Sequence, residues 1–226
     1  EPQLNIEYLW RELSHMYATN QEKYRKLPEL AARYMLDGFN FELLDGESFN
    51  LDVKWIGAVF QALHHFLSPT TNRVFVLSVI GVQSSGKSTV LNTMFGIRMQ
   101  TGVGRCTKGI SMQLIPVKGR KEYDYVLILD SEGLGSPESY NLHSNSKRDN
   151  QMATLGILLA DATIFLCSGE DDVAAKKILP VVMMAYHKSR VAEKNGDHLN
   201  SMFFAYNKID TTEKEKLGSI VQSLYN

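Results

Sequence analysis

One nine-residue segment limits the possible folds of this chain more than any other. The sequence GVQSSGKST at residues 81–89 fits the pattern G-x-x-x-x-G-K-[ST] and directly follows the apolar run VFVLSVI. A strand, a glycine-rich turn and a helix start, in this order, direct backbone N–H groups and the positive end of a helix dipole into one concavity, which attracts phosphate. In this pattern Lys87 reaches the β- and γ-phosphates, and the hydroxyl of Ser88 ligates Mg²⁺. The segment therefore predicts a nucleoside triphosphate site with Mg²⁺ as cofactor. The residues of this phosphate loop are Gly81, Val82, Gln83, Ser84, Ser85, Gly86, Lys87, Ser88 and Thr89.

The composition sets broad limits on compartment and partners. The chain has 226 residues, 44% of them apolar, and its formal net charge of −1 offers no electrostatic footprint for nucleic acid or an anionic membrane. The longest apolar stretch, at residues 154–167, contains Asp161 and is too short to span a membrane. Cys106 and Cys167 lie far apart, so neither a zinc site nor a disulfide framework is indicated. We therefore expect a cytoplasmic protein without a nucleic-acid partner and with no membrane contact indicated in this segment.

The first 70 residues differ in pattern from the rest of the chain. Apolar residues recur at helical spacing between residues 4 and 17, Pro28 opens a second helical pattern that Gly38 ends, and residues 53–67 fit a third helix. The stretch FNFELLDGESFNLD before the third helix carries a turn at Asp45 and Gly46. We call residues 1–70 the lead-in and expect a helical segment that packs on the domain after it.

From residue 71 onward, apolar runs rich in β-formers alternate with amphipathic helical patterns. This alternation predicts an α/β fold in which a mainly parallel sheet carries helices on both faces. Strands are expected at residues 74–80, 111–117, 125–130, 162–168 and 202–207, and helices are expected to start near Lys87, Asp149, Asp171 and Thr212. The polar segment at residues 133–150 is predicted to be a loop. We expect a domain at residues 71–226 that is truncated at its C-terminal end, because one more strand should follow.

A second motif lies downstream of the phosphate loop. The apolar run of ILDSEG ends in Asp130, and Gly133 follows three residues later. An aspartate at this place holds Mg²⁺ through a water, and the N–H of the glycine bonds the γ-phosphate and senses its loss. Asp130 and Gly133 are therefore predicted nucleotide-binding residues, and Asp130 is also a predicted metal ligand.

A third motif predicts which base is bound. The sequence NKID brings Asn207, Lys208 and Asp210 to the carboxyl end of the last predicted strand, which is the edge where open α/β sheets bind ligands. A carboxylate at Asp210 accepts from both the ring N–H and the exocyclic amine of guanine, a pair of donors that adenine lacks. Asn207 would bond the base and neighbouring loops, and the stem of Lys208 would lie on the purine face. The motif predicts GTP, and a plain surface turn is the alternative, since these residue types also favour turns.

The loop GRCTKGISM supplies two further candidates for catalysis and metal binding. Thr107 is placed to complete the Mg²⁺ shell and to position the attacking water through its backbone carbonyl. Arg105 could reach the phosphates as an arginine finger and neutralise charge that develops during transfer. The alternative for Arg105 is an ordinary surface arginine, solvated or paired with a carboxylate.

Taken together, these motifs resemble the dynamin superfamily of large GTPases. The segments GVQSSGKSTVLNTMFG, GRCTKGISMQLI and LDSEGL, with the lead-in sequence LPELAARYMLDGFNFELLDGESFNLDVKW, look most like the very large interferon-inducible GTPases. TKGI with DSEGLG is also similar to guanylate-binding proteins, and QSSGKST with TKGI is similar to atlastin-type fusion GTPases. The resemblance covers residues 27–186 and implies a P-loop GTPase with a large G domain behind a helical lead-in.

The resemblance also implies a mechanism and a partner. It implies a G domain that dimerises across its nucleotide face and takes part in cell-autonomous defence. In the dynamin branch a Gln-Ser pair positions the catalytic water, and Gln83 and Ser84 hold those places here. Guanylate-binding proteins have an arginine finger at the place of Ser84, so here either Arg105 replaces it or no finger is used. The very large group typically lacks a regular NKxD, so NKID is either a retained guanine clamp or a coincidence near the true base contact.

The function expected from all these features is that of a Mg²⁺-dependent GTPase. It would bind GTP and GDP and form a nucleotide-dependent homodimer. Two alternatives stay open at this point: a GTP-binding scaffold with little or no turnover, and an atlastin-type membrane-fusion GTPase with membrane spans beyond residue 226.

Overall fold

The chain folds into alternating helices and strands, in a computed structural model that describes residues 6–67, 70, 72–97, 99, 109–135, 142–169, 172–192, 201–209 and 218. The elements in chain order are α1 (Ile6–Thr19), α2 (Leu27–Leu36), β1 (Phe41–Leu44), α3 (Val53–Phe66), β2 (Val74–Gly81), α4 (Lys87–Phe95), β3 (Ile110–Pro116), β4 (Tyr125–Ser131), α5 (Leu142–Leu158), β5 (Ala162–Ser168), α6 (Asp172–Ala192) and β6 (Ser201–Asn207).

The strands form one sheet in the order β1-β3-β4-β2-β5-β6. Strand β2 is parallel to both β4 and β5, and β5 is parallel to β6, whereas β3 pairs antiparallel with β4 and β1 pairs antiparallel with β3. The register sets Val79 beside Asp130 and Gly81 beside Leu166, so the carboxyl ends of the parallel strands meet at one edge. The predicted mainly parallel sheet is confirmed, and the five strands expected after residue 71 lie within one residue of their predicted bounds.

Helices cover both faces of the sheet because its inner strands bury apolar side chains on each side. On one face, Leu91 of α4 packs with Leu77 and Val79 of β2 in the smaller of two cores. On the other face, Ile80 belongs to a larger core that includes residues of α5, α6 and the lead-in helices. Successive side chains of a strand point to opposite faces, which explains how β2 serves both cores. The predicted α/β architecture with helices on both faces is therefore confirmed.

Within its described residues, 6–67 and 70, the lead-in contains three helices, as expected, and also one strand that was not expected. Strand β1 pairs with β3 and places Phe41 beside Met112. The ring of Trp10 in α1 packs on Phe41 with the two centroids 4.5 Å apart. The sequence reading did not include this strand, which covers an edge of β3 that would otherwise carry unpaired N–H and C=O groups. The division into domains at residue 70 stays a prediction, and the larger core contains residues from both sides of it.

The helix α5 begins earlier than the sequence predicts. It starts at Leu142 instead of near Asp149, so the second half of the predicted loop at residues 133–150 is helical. The later turns of α5 bury Met152, Ala153 and Ile157 in the larger core. Once these turns are packed, adding further residues to the existing helix costs little free energy. Neither glycine nor proline occurs between residues 142 and 155 to stop the helix, so it extends toward the N-terminus as far as Leu142. The helix expected near Thr212 lies outside the described residues, and α6 begins within one residue of its predicted start.

Candidate nucleotide-binding site

The phosphate loop joins the end of β2 to the start of α4. Gly86 is the N-cap of α4 and has a φ of 88°, in the left-handed region that favours glycine. A Cβ atom at Gly86 would stand 2.6 Å from the side-chain nitrogen of Asn207. The backbone conformation thus favours glycine at this position, and a larger residue would also displace the end of the Asn207 side chain.

Lys87 is the first residue of α4 and curls back over the phosphate loop. Its Nζ donates to the carbonyl oxygens of Gly81 at 3.3 Å and Val82 at 3.1 Å, and the residue is only 7% exposed. Burial lowers the pKa of Lys87 to about 8, although the negative charges of Asp130 and Glu132 act in the opposite direction. The loop therefore holds a desolvated ammonium group at the place where the motif predicts contact with phosphate.

Ser88 and Asp130, two of the three predicted metal ligands, come together beside the loop. The hydroxyl of Ser88 donates to Oδ2 of Asp130 at 2.8 Å, and Asp130 is 1% exposed at the end of β4. Hydroxyl and carboxylate oxygens are the hard donors that Mg²⁺ prefers, and Mg²⁺ in nucleotide sites takes few protein ligands, with phosphates and water completing its shell. The donor set fits Mg²⁺.

The loop after Asp130 lies directly against the phosphate loop. The N–H of Gln83 donates to the carbonyl of Leu134 at 3.0 Å, and the N–H of Leu134 donates to the carbonyl of Gly81 at 2.9 Å. A Cβ atom at Gly133 would stand 2.4 Å from the Cα of Gln83. The structure thus brings Gly133 into the site predicted for it, and it adds a steric reason for glycine there that the motif does not reveal.

The interior of the phosphate loop contains polar atoms turned away from solvent. Oε1 of Gln83 and Oγ of Ser85 are buried and have no hydrogen-bond partner among the residues that the structure describes. Ser84 between them is exposed and has a φ of 60°. Val82 is buried and forms a parallel bridge with Leu134, whereas Thr89 is exposed on the first turn of α4.

The predicted base motif is also tied to the phosphate loop. Asn207 ends β6, and its Nδ2 donates to the carbonyl of Ser85 at 3.0 Å. The N–H of Gly169, after β5, donates to the carbonyl of Asn207 at 2.8 Å. The next residue, Lys208, has a φ of 55°. Asn207 is therefore adjacent to the site, as expected from its position at the carboxyl edge of the sheet.

Three predicted site residues lie outside the described part of the chain. They are Arg105, Thr107 and Asp210. Their roles in catalysis, in metal binding and in guanine selection stay predictions.

One buried charge beside the site was missed by the sequence reasoning. Glu132 lies between Asp130 and Gly133 and is 8% exposed. Its Oε2 accepts from the N–H of Gly109 at 3.0 Å, and its own N–H donates to the carbonyl of Gly109 at 2.7 Å. The signal in the sequence was the acidic residue itself, which lies inside the DSEG segment. A carboxylate that is buried there requires hydrogen-bonding or charged partners.

None of the helices in the described ranges combines the length and the hydropathy needed to cross a membrane.

One protein family matches the chain over nearly its whole length. It is the URGCP-like GTPase domain, and the match covers residues 2–223.

Individual proteins are similar over most of the chain as well. Interferon-induced very large GTPase 1 from Homo sapiens is 38% identical in an alignment of 195 positions that covers 81% of this chain and 8% of that protein. Up-regulator of cell proliferation from Bos taurus is 30% identical in an alignment of 225 positions that covers 92% of this chain and 23% of that protein. Guanylate-binding protein 5 from Mus musculus is 32% identical over 117 residues, 50% of this chain and 19% of that protein. The chain thus corresponds to less than a quarter of the length of these relatives. The similarity to very large interferon-inducible and guanylate-binding GTPases that the motifs predicted is confirmed.

Proposed function

The chain belongs to the family of URGCP-like GTPase domains, and from this membership we propose that it binds GTP with Mg²⁺ at residues 81–89 and hydrolyses it to GDP and phosphate. The observation that carries the proposal is the grouping of Lys87, Ser88 and Asp130 at one loop, with the Ser88 hydroxyl 2.8 Å from Asp130 and Gly133 packed on the same loop. Each of these groups has a defined task in phosphoryl transfer, where positioning and charge neutralisation supply most of the catalysis.

Lys87 would bind the phosphates by exchanging weak partners for strong ones. Its ammonium group donates to two carbonyl oxygens at 3.1 and 3.3 Å. A phosphate oxygen is a charged acceptor, and charge-assisted hydrogen bonds are about twice as strong as neutral ones. The burial of Lys87 supports this role, because water competes little for a desolvated ammonium group.

Ser88 and Asp130 would hold Mg²⁺, Ser88 directly and Asp130 through water. When bound, Mg²⁺ would neutralise the negative charge of the phosphates. The hydrogen bond between the two side chains supports the proposal, because it keeps a hydroxyl and a carboxylate oxygen together at the mouth of the loop. Thr107 would complete the metal shell, a role proposed from its sequence position.

Gln83 and Ser84 would position the attacking water. Oε1 of Gln83 is buried and has no hydrogen-bond partner among the described residues, which supports the role of Gln83. A buried carbonyl oxygen is stabilised by any hydrogen-bond donor that reaches it, such as a water molecule. The exposure of Ser84 supports contact with a second molecule at this surface. Arg105 as an arginine finger remains a proposal that rests on its position between the phosphate loop and β3.

Selection of guanine is assigned to Asp210 and support of the base pocket to Asn207 and Lys208. The hydrogen bond from Asn207 to the carbonyl of Ser85 supports this assignment, because it fixes the start of the NKID segment on the phosphate loop. Dimerisation across the nucleotide face, a cytoplasmic location and a part in interferon-type defence are further proposals. They rest on the resemblance to the large inducible GTPases.

Single-turnover hydrolysis with Mg²⁺·GTP tests the proposal. Phosphate release should be measured for the parent chain, for Lys87→Ala and for the matched control Lys54→Ala, which removes an exposed lysine of α3. We expect Lys87→Ala to weaken GTP binding by about 10- to 100-fold, the value of about one charge-assisted hydrogen bond, and Lys54→Ala to leave it unchanged.

The outcome also decides between an enzyme and a scaffold. GTP binding without phosphate release, at protein concentrations that drive dimerisation, would refute hydrolysis and favour the scaffold. Asp210→Asn should reduce the preference for GTP over ATP, and an unchanged preference would show that NKID is not the guanine clamp.

A further inference from the structure

Arg148 of α5 connects the nucleotide site to the lead-in. Its Nη2 donates to Oε2 of Glu132 at 3.0 Å, the same oxygen that accepts from the N–H of Gly109. The same nitrogen also donates to the carbonyl of Gly46, and the guanidinium carbon lies 5.1 Å from the ring centroid of Phe49. Arg148 therefore touches two parts of the chain at once: the loop that follows Asp130, and residues 45–49, which we call the lead-in turn.

The lead-in turn is firmly held on its other side. The carboxylate of Asp45 accepts two hydrogen bonds from Arg11 of α1, at 2.7 and 2.9 Å. It also caps the turn by accepting from the N–H of Glu47 at 2.7 Å. A Cβ atom at Gly109 would stand 1.9 Å from the carbonyl oxygen of Leu44, so the start of β3 and the end of β1 are in close backbone contact. A continuous set of contacts thus runs from α1 through the lead-in turn to Glu132.

The charges explain why Arg148 matters at this place. Glu132 is almost fully buried, and a buried carboxylate from which a charged partner is removed is strongly destabilised or moves toward solvent. Any such movement displaces the residues on either side of Glu132 along the chain, namely Ser131, beside Asp130, and Gly133. A lysine keeps the charge but lacks the planar fork that serves a carboxylate, a carbonyl and an aromatic face together.

We propose that Arg148 is a positioning residue that couples the loop carrying Asp130 and Gly133 to the lead-in turn. It holds Glu132 in place for hydrolysis, and it transmits the change at Gly133 on loss of the γ-phosphate to α1 and β1. The inference rests on the proposed function, because it requires a nucleotide whose γ-phosphate contacts Gly133.

The chain contains its own reporter for this coupling. It has two tryptophans, Trp10 and Trp55, and both are buried in the lead-in. Their emission therefore reports on the lead-in and not on the nucleotide site. The experiment compares tryptophan emission with Mg²⁺·GTPγS and with Mg²⁺·GDP, nucleotide affinity by calorimetry, and the kcat and KM of GTP hydrolysis.

The test variant is Arg148→Lys, and the matched control is Arg73→Lys. Arg73 likewise pairs with a carboxylate, that of Asp124 at 3.2 Å. It precedes β2 and so lies at the amino ends of the parallel strands, away from the nucleotide site at their carboxyl ends. In the parent, emission should differ between the two nucleotides. Arg148→Lys should lose most of that difference and lower kcat by about tenfold, with KM and GTPγS affinity within about threefold of the parent. Arg73→Lys should retain the emission difference and the parental kcat.

Several results would overturn the inference. If the parent binds GTPγS but its emission is the same with both nucleotides, the coupling is refuted while the proposed function stands. If the parent does not bind GTPγS, the proposed function itself fails, and the coupling fails with it. Parental emission difference and parental kcat in Arg148→Lys refute the role of Arg148. If Arg148→Lys does not fold, Phe49→Leu replaces it, because this change removes the ring below the guanidinium and leaves Arg148 paired with Glu132. Phe49→Leu should reduce the emission difference between the two nucleotides. An unchanged difference refutes the inference.

Discussion

Replacing Gly133 by alanine tests whether the two loops of the nucleotide site must lie as close together as the structure shows. Gly133 does not lie in the left-handed region, so alanine meets no backbone strain there. The obstacle is steric, since the new Cβ would stand 2.4 Å from the Cα and 2.8 Å from the N of Gln83. Both are backbone atoms, which cannot move aside as a flexible side chain can. The loops must therefore separate by about 1 Å to reach an ordinary contact distance.

The hydrogen bonds between the loops give the size of the effect. A separation of about 1 Å would stretch the bonds from Gln83 to Leu134 and from Leu134 to Gly81, now 3.0 and 2.9 Å, beyond hydrogen-bond range. Each lost bond costs about 1 kcal/mol, and more when its N–H stays buried without a partner. We therefore expect Gly133→Ala to lower the free energy of unfolding by about 2–4 kcal/mol.

Urea unfolding followed by circular dichroism measures this change, and calorimetry with Mg²⁺·GTPγS measures its effect on binding. The control is Gly57→Ala in α3, an exposed helical position where a Cβ meets no atom within 4 Å. This control should raise the free energy of unfolding by about 0.5–1 kcal/mol, the usual gain for alanine over glycine in a helix. If Gly133→Ala changes stability by less than about 0.5 kcal/mol and leaves GTPγS affinity within about twofold, the steric reasoning is wrong.

Three further outcomes are expected. GTPγS affinity should weaken as the pH rises above about 8, by about tenfold per pH unit, because burial lowers the pKa of Lys87 to about 8 and the phosphates require its charged form; affinity that is constant from pH 7 to 9.5 would contradict this. Burial acts to raise the pKa of Asp45, but hydrogen bonds, first of all from Arg11, outweigh it and lower the pKa to about 2. The carboxylate therefore stabilises the fold above about pH 4 and loses this effect as the pH falls toward 2. Asp45→Asn should lower the free energy of unfolding, measured with urea at pH 7, by about 1 kcal/mol. The difference in unfolding free energy between Asp45→Asn and the parent should become smaller as the pH is lowered. Asn207→Ala removes the 3.0 Å hydrogen bond to the carbonyl of Ser85 and should weaken GTPγS binding measured by calorimetry by about 3- to 10-fold, whereas unchanged binding would show that this bond does not support the site.

The sequence predicts best those features that depend on neighbours in the chain. The strands after residue 71 follow from short apolar runs, and the pairing of Ser88 with Asp130 follows from two motifs whose strands are adjacent in a parallel sheet. Strand β1 had a local signal, since Phe39, Phe41 and Leu43 alternate with polar residues, but the helical patterns on both sides of it obscured that signal.

The features that could not be predicted depend on how distant elements pack. The contact of Arg148 with Glu132 and Gly46 depends on where α5 lies over the sheet, and no local pattern encodes that position. The requirement for glycine at position 133 follows from the backbone of Gln83, which the motif does not specify. Such contacts are decided by tertiary packing, which overrides local preference.

The pairing of β1 with β3 has a consequence for the order in which the chain can fold during synthesis. Met112, the partner of Phe41, leaves the ribosome on the order of 70 residues after Phe41, which at about 5–20 residues per second is a delay of several seconds. During that interval α1, α2 and β1 have no sheet to pack on, and the apolar side chains of Trp10, Met35 and Phe41, which the finished fold buries, are exposed to other chains and to chaperones. The phosphate loop and α4 emerge within this delay, but β2 lies between β4 and β5 in the sheet and both follow Met112 in the chain, so the nucleotide site is completed only after β1 can pair with β3.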